Sequence, residues 1–230
     1  MAPGDDDGNA DPADADAALD AVLAAYDLKD ERRTGWQLRG VEDPESVAAH
    51  SWGVAYLVLT LGDRLAADLP GVDLDRALRL AVVHDVAEAE TGDVATRAAD
   101  VADHGEDTPR ADSTAEAADC EAKVAAEREA MRDLAGPLPE RVRDAWEAYE
   151  ARDSPAAVLA KECDLLDTCL QAVTYERDDR YDPERGDPDA FREYDDLDEF
   201  FATTEPRLRT ETGRKLFAAI RERYRAARDE

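Results

Sequence analysis

From about residue 14 onward, apolar positions recur at intervals of three and four, the period of helices buried along one face. No stretch alternates apolar and polar residues as a half-buried strand would, and no segment repeats another. A first helix is predicted from Asp14 to Leu28, followed by a loop rich in turn and basic residues, Arg32-Arg33-Thr34-Gly35-Trp36 and Arg39-Gly40. Asp43 can cap the next helix and Pro44 suits its first position, after which Val47, Val54, Leu57, Leu61 and Leu65 share a face. Gly71 and Asp73 open another, with Leu74, Ala77, Leu78, Ala81 and Val82 as its stripe and Gly92 shortly after its end. Helical patterning resumes over residues 114–134 and 139–151. Ser154-Pro155 then starts a helix carrying Leu159, Cys163, Leu166, Leu170 and Val173. Past a loop with Tyr181-Asp182-Pro183 and Gly186-Asp187-Pro188, one or two shorter helices close the chain. The fold class predicted is all-α, in a single domain over residues 14–230. Residues 1–13, rich in Asp, Gly, Ala and Pro, are expected to be disordered, and the acidic segment 97–113 to be a mobile insertion without apolar period.

Composition narrows the function. With 230 residues, 43% of them hydrophobic, there is enough apolar material for a real core. The formal charge of −29, from 57 acidic against 28 basic residues, is spread along the chain rather than gathered in a tail. Such a surface repels nucleic acid and anionic membranes, which are bound by neutralising phosphates with Lys and Arg. Concentrated salt screens the self-repulsion of so acidic a chain, so a very salty cytoplasm is the expected setting. No apolar stretch is long enough to span a bilayer, and the start of the chain, Met1 to Asp16, is acidic where a signal peptide would be basic and then apolar. Cys120, Cys163 and Cys169 form no CxxC pair, and read as small reduced core residues.

The chemistry is announced by polar residues on apolar faces. Of the three histidines, His50 lies three residues after Val47 and four before Val54, and His84 follows Leu80 and Ala81 by one turn. Asp85 stands seven residues after Leu78, where the apolar stripe should continue, and Glu88 falls on the same side. Asp164 sits mid-helix beside the stripe of the Ser154 helix, where Asp is a poor helix former. Unpaired burial of these groups would be costly, and a cation is the commonest remedy where His and Asp converge. Taken singly each has an ordinary reading: a hydrogen-bonded core histidine, a surface Glu88, a turn residue in Asp93, an Asp164 paired with arginine. His104, inside the acidic insertion, reads as a surface residue.

The runs Arg33-Thr34-Gly35-Trp36, Pro44-Glu45-Ser46-Val47-Ala48-Ala49-His50-Ser51-Trp52, Val83-His84-Asp85-Val86-Ala87-Glu88 with Gly92-Asp93, and Lys161-Glu162-Cys163-Asp164 occur in this order over residues 17–177. Together they resemble the HD-domain phosphohydrolases, and within them the 5′-deoxynucleotidase branch. The resemblance implies a helical bundle with a metal site between helices, His50, His84, Asp85 and Asp164 being ligands of a divalent ion. Mixed His and carboxylate ligation suits Mn, Co, Fe, Ni, Zn or Mg. It further implies removal of the 5′-phosphate from deoxynucleoside monophosphates. Glu88 would act near the attacking water, Asp93 would approach the sugar, and Trp36 would stand beside the ribose pocket. Relatives often pair as dimers, so a homodimer is compatible. Two positions depart from the family pattern: Ala49 replaces a common Glu that would back the first ligand histidine, and Val94 replaces a basic residue found in some members. Arg33 and Arg39 are therefore the candidate phosphate-binding groups, with Arg32 as close in sequence. Two alternatives stay open: the same enzyme class acting on another phosphomonoester, a nucleoside triphosphate or a signalling nucleotide, and a non-catalytic, metal-stabilised interaction module.

Overall fold

A computed structural model describes residues 12–95, 114–187, 194 and 196–229. The acidic N-terminus through residue 11, the 97–113 insertion and His104 lie outside the described residues. Among the described residues there is no strand, only two isolated bridges, Arg32 to Ser46 and Val41 to Tyr181. The helices are α1 (Pro12–Tyr26), α2 (Thr34–Leu38), α3 (Val47–Leu65), α4 (Leu74–Val83), α5 (Glu88–Thr91), α6 (Thr114–Leu134), α7 (Glu140–Ala151), α8 (Pro155–Arg177), α9 (Asp198–Thr204) and α10 (Glu211–Arg228). No helix among them is long and apolar enough to cross a membrane.

Helix α8 is the axis of the bundle, with α3, α4, α7, α9 and α10 packed around it. Its start follows the sequence signal: the Ser154 hydroxyl accepts the Ala157 N–H, and Pro155 occupies the first turn. Surrounded on all sides, α8 buries Leu159, Cys163, Leu166 and Cys169, which meet Val54 and Leu57 of α3, Leu80 of α4 and Tyr224 of α10 in one core. Full burial of such side chains contributes about 1.5–3 kcal/mol each before conformational entropy is counted. A smaller cluster of Ala87, Met131 and Trp146 joins α6 and α7 to the segment after α4.

Three predictions are corrected by the fold. Helix α3 starts at Val47, capped by Ser46, whose hydroxyl accepts the Ala49 N–H; Asp43 and Pro44 precede it. Tertiary contacts claim that segment first. Arg180 binds the Glu42 and Asp43 carbonyls, Arg32 the Pro44 carbonyl, and Asp43 sits at φ 45°, a left-handed conformation that Asp tolerates. Val82, expected on the buried stripe of α4, is exposed, because the helix turns its Ala77, Leu80 and Ala81 face inward. The last helix is not short: α10 runs 18 residues and buries Phe217, Ile220 and Tyr224 against the rest of the bundle. Its docking is fastened by the buried Glu162 of α8, whose carboxylate accepts from the Arg209 and Thr210 N–H groups and the Thr210 hydroxyl.

Because Ser46 caps the helix that carries the first predicted ligand, Ser46→Ala is expected to cost about 1 kcal/mol. Urea unfolding of the two proteins measures it; an unchanged midpoint would deny the cap its role.

Candidate metal centre

Helix α3 presents His50 one turn after its cap, fully buried and facing α8. Helix α4 ends at Val83, and the chain then tightens: Val86 N–H donates to Val83 O, Glu88 N–H to Asp85 O, and Ala89 N–H to Val86 O. Bonds of this i to i+3 kind bring residues three apart into register, so Asp85 and Glu88 still share a side although no continuous helix joins them. The same turn brings His84 Nε2 within 3.0 Å of Asp85 Oδ2. From the middle of α8, Asp164 completes the set.

Ligand atoms of His50, His84 and Asp164 lie within 4.8 Å of one another. His50 Nε2 is 3.1 Å from Asp164 Oδ1, 3.4 Å from His84 Nε2 and 3.8 Å from Asp85 Oδ2. The other ring nitrogens are already engaged: His84 Nδ1 donates to the Ala81 carbonyl at 2.9 Å, and His50 Nδ1 meets Asp167 Oδ2 at 2.8 Å. With a proton on each Nδ1, both Nε2 atoms offer bare lone pairs that face each other and two carboxylate oxygens. Four acceptors turned inward in a buried site fit a divalent cation.

The electrostatics favour positive charge between these oxygens. His50 is pushed up to about 10: burial and Arg33 oppose its charge, but the hydrogen bonds to Asp164 and Asp167 outweigh them, so a second proton, on Nε2, competes with a cation for the same position. Burial acts against the Asp85 carboxylate, yet His84 and Arg33 hold it well below the usual range. Asp164 is likewise held far down, against burial, by Lys161 and His50; Lys161 Nζ and Tyr149 Oη each donate to its Oδ2 at 2.7 Å.

Beside this set stands Glu88, 9% exposed, with Oε2 buried and without a hydrogen-bond partner. Burial first, then the neighbouring Asp85 and Asp93, push its carboxyl up to about 10, so it keeps its proton at neutral pH. Arg33 reaches Asp85 Oδ2 at 3.2 Å and Asp93 Oδ1 at 3.7 Å; burial opposes its charge, and the surrounding carboxylates hold it protonated. Asp93 also accepts the Thr34 N–H, anchoring the start of α2.

Two predicted substrate contacts, Trp36 and Arg39, are engaged with groups other than the four ligands. Trp36 is 1% exposed, packed between Tyr175 and Phe200, with its indole N–H on Glu45. Arg39 donates to the Tyr194 carbonyl. Conversely, Asp167, Glu45, Tyr149 and Lys161 belong to the centre without having been singled out in the sequence. For Asp167 a signal existed: like Asp164 three residues earlier, it is a carboxylate in a largely buried helix.

A family model described as an HD domain matches residues 25–193. The chain belongs to the HD-domain family. It is 34% identical over 165 residues to the 5′-deoxynucleotidase HDDC2 of Danio rerio, which covers 70% of each chain. It is 36% identical over 154 residues to the same-named protein of Mus musculus, covering 65% of each. Among solved structures, the PH0347 protein from Pyrococcus horikoshii OT3 superposes with a TM-score of 0.62 at 28% identity, covering 90% of this chain and 98% of that one. A predicted metal-dependent phosphohydrolase from Magnetospirillum magnetotacticum MS-1 shares the fold, with a TM-score of 0.59 at 21% identity, covering 93% and 92%. The His50, His84-Asp85 and Asp164 set thus lies within the matched HD domain.

Proposed function

We infer that the protein is a metal-dependent phosphohydrolase that releases the 5′-phosphate from deoxynucleoside 5′-monophosphates. The observation that carries this reading is the inward-facing set of His50, His84, Asp85 and Asp164 beside the buried, unpartnered carboxyl of Glu88, in a chain similar to proteins named 5′-deoxynucleotidase. A divalent ion held there would supply Lewis-acid stabilisation to a phosphoryl oxygen and make water a better nucleophile. Mn, Co, Fe, Ni, Zn and Mg all suit two imidazoles and two carboxylates.

The protein's own groups do the rest. Arg33 keeps a fixed positive charge beside the ligands and draws an anionic phosphate toward them. Glu88, buried beside the ligands, is the group proposed to take the proton of the attacking water and return it to the departing 5′-oxygen. Asp93 Oδ1 is the group proposed to meet the sugar. The same reading extends to a cytoplasmic enzyme working in concentrated salt, where screening lets two such acidic chains pair as a homodimer.

The test is phosphate release in molar KCl with added Mn or Co, from deoxy- and ribonucleoside 5′-monophosphates in parallel. Release is expected from the deoxy substrates, more slowly from the ribo series, and is lost on chelation with EDTA. Equal rates on the two series would count against Trp36 as the bulk that disfavours a 2′-hydroxyl. No metal-dependent release from any of them would overturn the reading.

A further inference from the structure

An imidazole can serve a metal through Nε2 only if its proton sits on Nδ1. For His50 both nitrogens face carboxylates: Nδ1 faces Asp167 at 2.8 Å and Nε2 faces Asp164 at 3.1 Å. Asp164 on its own would hold the ring proton on Nε2, where an ion must bind. The Glu45 carboxylate also comes within 4.8 Å of His50 and Asp167, but the carboxylate bonded to Nδ1 is that of Asp167.

The backbone of α3 has been cleared to admit it. Gly53 lies three residues after His50, in the interior of a 19-residue helix, where glycine costs about 1 kcal/mol relative to alanine. Its φ is an ordinary helical one, so conformational freedom is not the reason for it. Space is: a Cβ built on Gly53 would fall 2.3 Å from Asp167 Oδ1 and 2.9 Å from its Cγ. The Asp167 carboxylate lies against the bare backbone of α3 and from there meets His50.

We propose that Asp167, seated in the gap left by Gly53, is the positioning residue that keeps the His50 proton on Nδ1 and so makes Nε2 a metal ligand. The proposal rests on the metal-site reading and goes beyond it, because it assigns metal affinity to two residues that touch no ion.

The experiment measures Co(II) affinity by competition with a chromophoric chelator for wild type, Asp167→Ala, Gly53→Ala and the double variant, with thermal unfolding of each metal-free protein alongside. Loss of such outer hydrogen bonds typically weakens metal binding about 10–100-fold. Each single variant is expected to show a loss of that size. Gly53→Ala is the sharper case, since alanine favours the helix and would leave affinity unchanged if Gly53 served the backbone alone. In the double variant the losses are expected not to add, because no carboxylate is left to displace. A second readout separates positioning from general loosening. In the Zn-loaded protein with 15N-labelled histidine, the Nδ1 proton signal of His50 should move in both single variants, while that of His84, whose partner is Ala81 O, should not. Wild-type affinity in a folded Gly53→Ala, or additive losses in the double variant, would overturn the proposal. A wild type that binds no Co(II) would overturn the metal-site reading itself, and Asp167 would have no ligand to orient.

Discussion

Asp85→Ala is expected to remove metal-dependent phosphate release, lowering it about 1,000-fold, while the protein stays folded. Lewis-acid stabilisation of a phosphoryl transition state is worth several kcal/mol, and about 4 kcal/mol corresponds to that factor. Asp85 supplies a carboxylate whose low pKa, held against burial by His84 and Arg33, shows how strongly the site favours the charge. The fold should tolerate its loss. Its side chain lies at the edge of the cluster, and the Arg33 cation it leaves behind retains Asp93 at 3.7 Å. Phosphate release, Co(II) affinity and thermal unfolding of the variant give the answer together. Activity and metal affinity both preserved would remove Asp85 from the centre; loss of the folded state would show that it holds structure instead.

Glu88→Gln should separate activity from stability in opposite directions. Proton transfer by a placed side chain contributes at least about 100-fold, and glutamine cannot perform it, so kcat should fall by that order with Co(II) affinity little changed. Stability should rise. Glu88 is a buried carboxyl with an unpartnered oxygen and two carboxylate neighbours, and its pKa stands at about 10 against an ordinary 4.5. For an acid whose folded pKa lies above its unfolded one, ionisation favours the unfolded chain. The cost therefore grows as pH rises from about 4.5 toward 10. The metal-free wild type should lose stability relative to Glu88→Gln between about pH 5 and pH 9, by about 1–3 kcal/mol at pH 7. Urea unfolding across that range tests the sign. A variant that turns over at the wild-type rate would remove Glu88 from proton transfer, and one less stable than wild type would show a bond that the site geometry lacks.

How much of this was legible beforehand depended on how local each signal is. Ser154-Pro155 and Asp73 were readable as helix starts because a cap involves neighbours a few residues apart. Asp43-Pro44 carried an equally good local signal and was overridden, since Arg180 and Arg32, far along the chain or across the loop, bind its carbonyls. His50, His84, Asp85 and Asp164 stood out because each interrupts an apolar face, an anomaly visible without knowing what it faces. Trp36 was placed beside the ribose pocket by resemblance, and Arg39 was a candidate for the phosphate because Val94 lacks a basic side chain; their contacts in the fold are with Tyr175, Phe200 and Glu45 for Trp36 and the Tyr194 carbonyl for Arg39.

The apolar period and the polar residues that break it thus determined an all-helical bundle and the identity of its inward acceptors, because helix formation and burial of a face are local consequences of side-chain order. Only the tertiary structure decided which nitrogen of each histidine is committed, that Glu88 keeps an unpartnered oxygen, and that Asp167 rests where Gly53 has no side chain. Those outcomes depend on distances between α3, α4 and α8, segments separated by tens of residues, and on the electrostatics of a shared buried volume. No single helix carries that information in its own spacing.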